Sequence, residues 1–322
     1  MERQKSFLTP MLSILASGLL LAACNKDNNS STPPPTDNTI TGIVVASADF
    51  STLKAAVVKA DLATTLSGTG PYTVFAPDNA AFTASGIDAT ALNALTADQT
   101  KAILLYHTLP AKVMAADVPA GPNAKVITAG GDSVFVTKNG NGVFVNGIKV
   151  TQADISASNG VIHRIGRVLL PPAGNIVETA QAAGLDSLVK AVTLATTETG
   201  GDPNLASTLG SATLTVFAPT NQAFTDLLAA LNLHRLEDIP VATLLAVLRY
   251  HVVGGRAFSS DLANGNLAML AGGNTTIGLT NGSAGGPTIT GNGNGGNKSN
   301  IVATNIVCRN GVVHLIDRVL LP

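Results

Sequence analysis

The chain has 322 residues, of which 45% are hydrophobic and only 12% are charged, and its formal net charge is −1 at pH 7. The 20 acidic and 19 basic residues leave no basic excess, so nucleic acid is excluded as an expected partner, because its binding depends on neutralised phosphates. The two cysteines are too few for a disulfide framework. Stability must therefore come from hydrophobic cores.

Residues 1–23 predict an export signal. Three of the first five residues are charged, and residues 7–23 then run without a charge. This run is shorter than the roughly 20 apolar residues of a transmembrane helix. It is followed by a cysteine in the sequence Leu-Ala-Ala-Cys, which resembles the lipobox of bacterial lipoproteins. We expect Cys24 to carry acyl chains such as palmitate and to anchor the mature chain in the lipid bilayer, with a plain cleaved secretory signal as the alternative.

Residues 24–39 are polar and rich in proline and asparagine. They contain too few apolar side chains to form a core, so we expect a disordered tether. Anchor and tether together predict a location in the bacterial cell envelope, at the outer membrane. Asp27 follows the cysteine closely, a faint resemblance to surface-export signals, and both the surface and the periplasmic face stay open.

In chain order, the first predicted element is a helix at residues 49–66, where apolar side chains recur at helical spacing. Residues 175–196 repeat this pattern. Short apolar strands follow at residues 73–76 and 215–218, and each is ended by a proline. Two amphipathic helices on apolar strands indicate that each half of the chain builds a core.

Asp78 and Thr220 occupy matching positions directly after these strands. Both residue types are good helix N-caps, because either side-chain oxygen can accept a hydrogen bond from an early helical N–H group. A general base or a metal ligand would not tolerate the exchange of Asp for Thr. We therefore predict a structural role for both residues.

Further helices are predicted at residues 97–106 and 241–250. Beyond them, Gly and Asn alternate with short apolar runs, and the Asn-Gly steps within residues 134–147 predict a hairpin. The last predicted strands are residues 161–170 and 312–321. Helices before a β-rich part are typical of an α+β fold.

Three motifs occur twice in the same order: TVFAPDNAAF returns as TVFAPTNQAF, a Tyr-His pair recurs, and NGVIHRIGRVLLP returns as NGVVHLIDRVLLP. Their offsets of 142, 144 and 151 residues grow along the chain. This indicates a tandem duplication with an insertion in the second copy, because solenoid repeats have much shorter periods. We predict domain 1 at residues 40–171 and domain 2 at residues 174–322.

These motifs, in this order and spacing, resemble the fasciclin domain over nearly the whole mature chain. The resemblance implies two tandem domains, each a twisted β-sheet wedge with surrounding helices, and a role in adhesion rather than catalysis. It also offers Tyr106, His107, Tyr250 and His251 as binding residues. The alternative is that each Tyr packs in the core and each His caps a helix end, because apolar residues flank both pairs.

His163 and His314 lie in the last repeated motif, where they alternate with apolar residues. We expect inward imidazoles held by hydrogen bonds. The sequence contains no closely spaced His and Cys set of a zinc site, no G-x-S-x-G and no G-x-x-x-x-G-K-[ST]. We therefore expect no metal, no cofactor and no enzymatic activity.

Domain 2 differs from domain 1 in a Gly- and Asn-rich stretch at residues 281–300, which we predict to be a mobile loop. Asp317 stands where the first copy has Gly166, and we expect it to make a turn or helix-end contact. Cys308 is expected to be buried as a small hydrophobe.

The leading hypothesis is a membrane-anchored cell-surface adhesion protein that binds cells, matrix protein or polysaccharide. The alternative is an envelope accessory lipoprotein that binds a small hydrophobic molecule or a glycan. This alternative predicts a deep apolar pocket in at least one domain.

Overall fold

The computed structural model describes residues 37–322. The predicted signal peptide, Cys24 and the tether up to residue 36 lie outside the described residues, so lipidation and location stay predictions. Within residues 37–322, no single helix is long and apolar enough to cross a membrane. One bent pair of helices, Ile40–Ala46 with Ala48–Lys59, has the required length and apolar composition only when the two helices are counted together.

Domain 1 places six helices before most of its strands. The helices are α1 (Ile40–Ala46), α2 (Ser51–Lys59), α3 (Ala63–Ser67), α4 (Asn79–Ala84), α5 (Ala89–Ala94) and α6 (Ala97–Tyr106). The strands are β1 (Tyr72–Pro77), β2 (Thr108–Leu109), β3 (Gly121–Ile127), β4 (Ser133–Asn139), β5 (Gly142–Val145), β6 (Ile148–Ala157) and β7 (Gly160–Ile165).

Domain 2 repeats this order. Its helices are α7 (Ile176–Ala182), α8 (Asp186–Thr197), α9 (Leu205–Ser211), α10 (Asn221–Ala230) and α11 (Val241–Arg249). Its strands are β8 (Leu214–Pro219), β9 (Val252–Gly254), β10 (Gly265–Ala268), β11 (Asn274–Gly278), β12 (Thr288–Thr290), β13 (Ser299–Cys308) and β14 (Gly311–Ile316).

Each domain contains one seven-stranded sheet, in the orders β2-β1-β7-β6-β5-β4-β3 and β9-β8-β14-β13-β12-β11-β10. The pairs β1/β7 and β8/β14 are parallel, and the neighbouring pairs are antiparallel. Strands β6 and β13 carry bulges, which bend a strand and increase its twist. The same α+β topology in both halves confirms the predicted fold class.

Two apolar clusters fill each domain, one on each face of the first strand. On the helix side of domain 1, Val74 and Ile162 pack against α1, α2 and α6. On the other face, Phe75 and Ile165 pack with Val136 from the far end of the same sheet. A single sheet forms this second cluster only when its two ends fold towards each other, so we call it the wedge core. Domain 2 has matching clusters.

The helix boundaries agree with the sequence prediction in part. Helices α6 and α11 lie where residues 97–106 and 241–250 predict them. The single helices predicted at 49–66 and 175–196 are wrong, because Asp61 and Gly184 interrupt them with φ angles of 52° and 64°. Left-handed residues at such positions end a helix.

The final strands are shorter than predicted. Strands β7 and β14 end at Ile165 and Ile316 rather than at residues 170 and 321. The chain then leaves the sheet, and the peptide N–H groups of Leu169 and Leu320 donate to buried histidine rings. The backbone beyond each strand thus bonds to a histidine far away in the sequence instead of to the sheet.

The Gly- and Asn-rich stretch of domain 2 is not a loop throughout, and that prediction is wrong. It contains β12, which lies between β11 and β13 in the sheet. Asp317 holds the end of the stretch, because its carboxylate accepts from the backbone N–H of Asn300 at 2.7 Å and from the Asn300 side chain at 2.6 Å. The extra carboxylate of the second copy thus fastens the extra residues.

Domains 1 and 2 contact each other directly. The ring of Phe258 lies 6.0 Å from that of Phe135, and the guanidinium carbon of Arg256 lies 4.1 Å from the centre of the Phe135 ring. Thr137 Oγ1 donates to Asp261 Oδ1 at 3.1 Å. Phe258 has no exposed surface, so a segment of domain 2 is sealed against the outer face of β4.

Candidate functional site

The tyrosines of the two Tyr-His pairs are buried in the wedge cores. Tyr106 is 1% exposed and Tyr250 is 2% exposed. The Tyr106 hydroxyl donates to the carbonyl oxygen of Ser133 at 3.0 Å and accepts from Asn146 Nδ2 at 2.9 Å. The Tyr250 hydroxyl donates to the carbonyl oxygen of Asn274 at 2.5 Å. Each tyrosine therefore holds the first residue of β4 or β11 and so fixes the turn that precedes it.

The histidines link the end of a helix to the end of the domain. His107 Nδ1 lies 2.8 Å from the carbonyl oxygen of Ile103, and its Nε2 accepts from the Leu169 N–H group at 2.9 Å. His251 repeats both bonds with the matching backbone groups, at 2.7 and 2.9 Å. Since a carbonyl only accepts and a peptide N–H only donates, the proton must sit on Nδ1 and each ring must be neutral.

Burial controls the ionisation of these pairs. It lowers the pKa of His107 and of His251 to about 4, and the hydrogen bond to the carbonyl opposes this only partly. Burial also raises the pKa of Tyr106 to about 12. Near neutral pH all three groups are uncharged, which suits an internal cross-link and does not suit proton transfer to a substrate.

His163 and His314 point inward on β7 and β14. Their rings stack on Phe75 and Phe217, with centroid distances of 5.8 and 5.4 Å. His163 Nε2 lies 2.8 Å from the carbonyl oxygen of Val113, and its Nδ1 accepts from a backbone N–H group at 3.1 Å. Burial lowers the pKa of His314 to about 4. Both rings serve as hydrogen-bonded packing groups.

Asp78 and Thr220 stand at the N-termini of α4 and α10. Asp78 accepts from the N–H of Ala81 at 2.8 Å, and Thr220 accepts from the N–H of Ala223 at 3.3 Å. These are N-cap hydrogen bonds. The exchange of Asp for Thr therefore keeps one interaction in two copies.

The four Tyr and His side chains form two separate sites, one in each domain. All are buried, so none presents a ring to a partner in this structure. The positions agree with the alternative given above, in which each Tyr packs in the core. A role for these residues in binding stays a prediction. Because the rings are buried, such a role would be indirect, through the turns whose position the tyrosine hydroxyls fix.

Those turns carry exposed apolar side chains, which the sequence analysis missed. Ile127 ends β3 with 62% of its surface exposed, and Leu270 lies in the turn after β10 with 54% exposed. The backbone N–H of Ala129 donates to the carbonyl of Thr108 at 2.7 Å, and that of Leu270 donates to the carbonyl of Val252 at 2.7 Å. The sequence signal for these exposed side chains is an apolar residue beside a Gly-containing turn in both halves.

Two further features bear on possible chemistry, the placement of metal-ligating side chains and the Cys308 thiol. Among residues 37–322, no group of three His, Cys, Asp or Glu side chains is placed to hold a metal ion. Cys308 is 1% exposed, as predicted, and burial raises the pKa of its thiol. The thiol is thus kept protonated and away from solvent, where it packs as an apolar side chain.

Apolar spaces lie on both sides of the sheets. A cavity of about 210 Å³ lies in the wedge of domain 1, between Phe75 and Val126. A cleft of about 260 Å³ on the helix side of domain 2 reaches Leu248 and His251, whereas the matching space in domain 1 measures about 30 Å³. The two copies have therefore diverged in how fully they are packed.

Comparison with known proteins identifies relatives of both halves. The family described as Fasciclin domain matches residues 48–171 and 187–322. Protein sll1483 of Synechocystis sp. is 46% identical over 141 residues, which cover 42% of this chain and 77% of that protein. Periostin of Homo sapiens is 27% identical over 269 residues, 80% of this chain and 29% of periostin.

A second animal protein and a solved structure are also similar to this chain. Transforming growth factor-beta-induced protein ig-h3 of Sus scrofa is 26% identical over 80% of this chain, which spans 35% of that relative's length. A solved structure of a FAS1 domain pair from the insect cell adhesion molecule Fasciclin I covers 85% of this chain and 97% of its own, at 19% identity and a TM-score of 0.40. The chain thus spans about a third of the length of the animal proteins that it matches.

Proposed function

Since this chain belongs to the fasciclin domain family and carries two copies of the domain, we propose that it is an adhesion protein of the bacterial envelope. Fasciclin domains occur in cell adhesion and matrix-binding proteins, and the relatives are in general not enzymes. In this proposal Cys24 anchors the chain in the bilayer, and the two domains bind another cell, matrix protein or polysaccharide.

The observation that carries this proposal is the direct contact between the domains. Phe258 is sealed against Phe135, and Thr137 donates to Asp261. A fixed pair presents two binding surfaces at a constant separation. The second contact then forms at a raised effective concentration, and less orientational freedom is lost on binding.

We place the contact surface at the turns that precede β4 and β11, between Ile127 and Ser133 and between Ala268 and Asn274, which we call the Tyr-held turns. Ile127 and Leu270 are the exposed apolar groups there, and the hydroxyls of Tyr106 and Tyr250 fix the strands that leave the turns. Large exposed apolar side chains on an ordered turn favour contact with a partner. This surface gives the Tyr-His pairs a supporting role without exposing their rings.

The test uses the soluble chain of residues 38–322, because all described strands and both sets of cores lie within it. Its binding is measured on whole cells and on arrays of matrix proteins and glycans. Ile127→Ser with Leu270→Ser is compared with the control Val302→Ser and Leu231→Ser, two apolar residues that are 56% and 50% exposed elsewhere.

We expect saturable binding that is at least tenfold weaker in the turn variant and unchanged in the control. Binding retained by a folded turn variant would move the interface away from the turns. Absence of binding to every cell, matrix and glycan surface would contradict the adhesive function itself.

The second candidate, an accessory lipoprotein that binds a small hydrophobic molecule or a glycan, needs an apolar pocket. The cavity in domain 1 supports it.

A further inference from the structure

The cavity in the wedge of domain 1 has apolar walls and a partly open rim. Leu109, Val118 and Val136 form buried parts of its wall. Val143 and Val150 at the rim are only half-buried. The space therefore lies between the core and the solvent, where a small molecule can enter without unfolding the sheet.

The floor of the cavity offers no free hydrogen-bonding group. It is formed by Phe75 and His163, whose rings are stacked. His163 already bonds to the carbonyl of Val113 through Nε2 and to the N–H of Asp154 through Nδ1. A polar ligand atom placed there would lose its hydration without replacement, which is unfavourable.

The charged residue in the lining is Asp117, which is exposed at the rim. Its Oδ2 accepts from the N–H of Met114 at 3.0 Å. A carboxylate at the entrance repels an anionic ligand. The occupant that fits both floor and rim is neutral.

In domain 2, three side chains of the same wedge are larger. Val136 and Ile277 hold matching sheet positions, because each is paired with the matching residue of the next strand. Val150 and Ile301 also match, since they pair with Ile165 and Ile316.

The rest of the lining differs in both directions, since Leu109 and Val113 match the smaller Val253 and Ala257, whereas Val118 is smaller than its counterpart. Val118 corresponds to Leu262, because each directly follows an aspartate that accepts a backbone N–H three residues earlier, at 3.0 Å in domain 1 and 2.9 Å in domain 2. At the positions of Val118, Val136 and Val150, domain 2 has one more methylene group. Because protein interiors are close-packed, larger side chains at these three positions would occupy part of the open space in the wedge of domain 1.

We propose that the wedge cavity of domain 1 is a binding site for a small neutral apolar molecule. A cavity of roughly 150 Å³ accommodates benzene. The cavity of about 210 Å³ therefore takes a molecule somewhat larger than benzene, such as a substituted ring or a short branched hydrocarbon chain. This site deepens the second candidate function, which rests on the same cavity, and it is separate from Ile127 and Leu270, so its failure would leave the adhesive function untouched.

The probes are ethylbenzene and indole, with benzoate as the anionic comparison. Binding to residues 38–322 is followed by methyl NMR of labelled valines, which reports Val113, Val126, Val143 and Val150 directly, and by the thermal midpoint. We expect saturable shifts at these valines with the neutral probes, a midpoint that rises with probe concentration, and at least tenfold weaker binding of benzoate.

The matched variant, V118L with V136I and V150I, transfers the residues of domain 2 into domain 1. We expect a higher thermal midpoint without probe and a loss of probe binding of at least tenfold. V136I alone provides the same comparison should the triple variant fail to fold. The reciprocal variant, L262V with I277V and I301V, should open a cavity in domain 2 and gain probe-dependent shifts there.

Three results would overturn the proposal. Native protein without saturable shifts at the wedge valines would show that the cavity takes no neutral apolar ligand. Undiminished binding by the filled variant would place the ligand elsewhere, for instance in the helix-side cleft of domain 2. A reciprocal variant that binds no better than native domain 2 would show that the three methylene groups do not control access.

Discussion

Tyr106→Phe removes one hydroxyl that two polar groups share. Asn146 Nδ2 donates to this oxygen, and the oxygen donates to the carbonyl of Ser133. Phenylalanine fills the same space, so packing in the wedge core is kept. The change therefore isolates the two hydrogen bonds.

The size of the loss depends on what happens to the partner left behind. Asn146 is 1% exposed, so its amide cannot turn to water, and a buried unsatisfied donor costs about 1–3 kcal/mol of the free energy of unfolding. Tyr250→Phe is the matched control in domain 2. It removes the hydrogen-bond partner of backbone groups of Asn274 and Asn292, which are exposed residues. Because water can replace the hydroxyl there, we expect the free energy of unfolding to fall by only about 0.5 kcal/mol, the lower end for a net hydrogen bond.

The assay is urea unfolding of residues 38–322, followed by circular dichroism, for the wild type and each single variant. We expect Tyr106→Phe to lower the free energy of unfolding by at least twice as much as Tyr250→Phe. Equal losses, or a larger loss for Tyr250→Phe, would refute the argument from the burial of Asn146.

Three further predictions concern ionisation, the second-copy insertion and the anchor. Burial lowers the pKa of His107, His251 and His314 from 6.5 to about 4, so the unfolded chain binds more protons between these values. Stability should be complete above about pH 6.5 and fall towards pH 4 by up to about 1.4 kcal/mol per pH unit for each histidine; constant urea midpoints over this range would contradict the neutral rings. Asp317→Ala removes the carboxylate that holds Asn300. Proteolysis within residues 281–300 should then accelerate on the order of tenfold. An unchanged cleavage rate would show that other contacts hold the segment. Cys24→Ala should abolish incorporation of radiolabelled palmitate while Cys308→Ala keeps it, and label retained by Cys24→Ala would exclude that cysteine as the lipidated residue.

The sequence alone predicted the repetition and the α+β class, because these follow from local patterns that recur in both halves, and the repeated motifs resemble those of the family. The helix N-caps at Asp78 and Thr220 were predictable for the same reason, since the acceptor side chain and the donor N–H lie three residues apart. The helices α6 and α11 were also found, because their apolar residues follow the 3.6-residue period.

Other features required contacts between residues distant in the sequence. The sequence leaves open whether the Tyr-His pairs bind a partner or pack internally. The structure buries the tyrosines in the wedge cores, and the histidines accept from Leu169 and Leu320, which lie 62 and 69 residues away. The stretch 281–300 has the composition of a loop, but the neighbouring strands recruit three of its residues as β12. Composition alone cannot predict such a strand, because its hydrogen-bond partners are brought to it by tertiary folding.

The sequence by itself thus determined that this protein consists of two fasciclin domains in tandem. Only the tertiary structure decided which side chains those domains expose, how Phe258 meets Phe135 across the domain boundary, and where Val136 and Val150 line an open space in the wedge of domain 1. The physical reason is that burial and packing depend on the summed contacts of residues far apart in the chain, whereas periodicity, capping and repetition depend on neighbours.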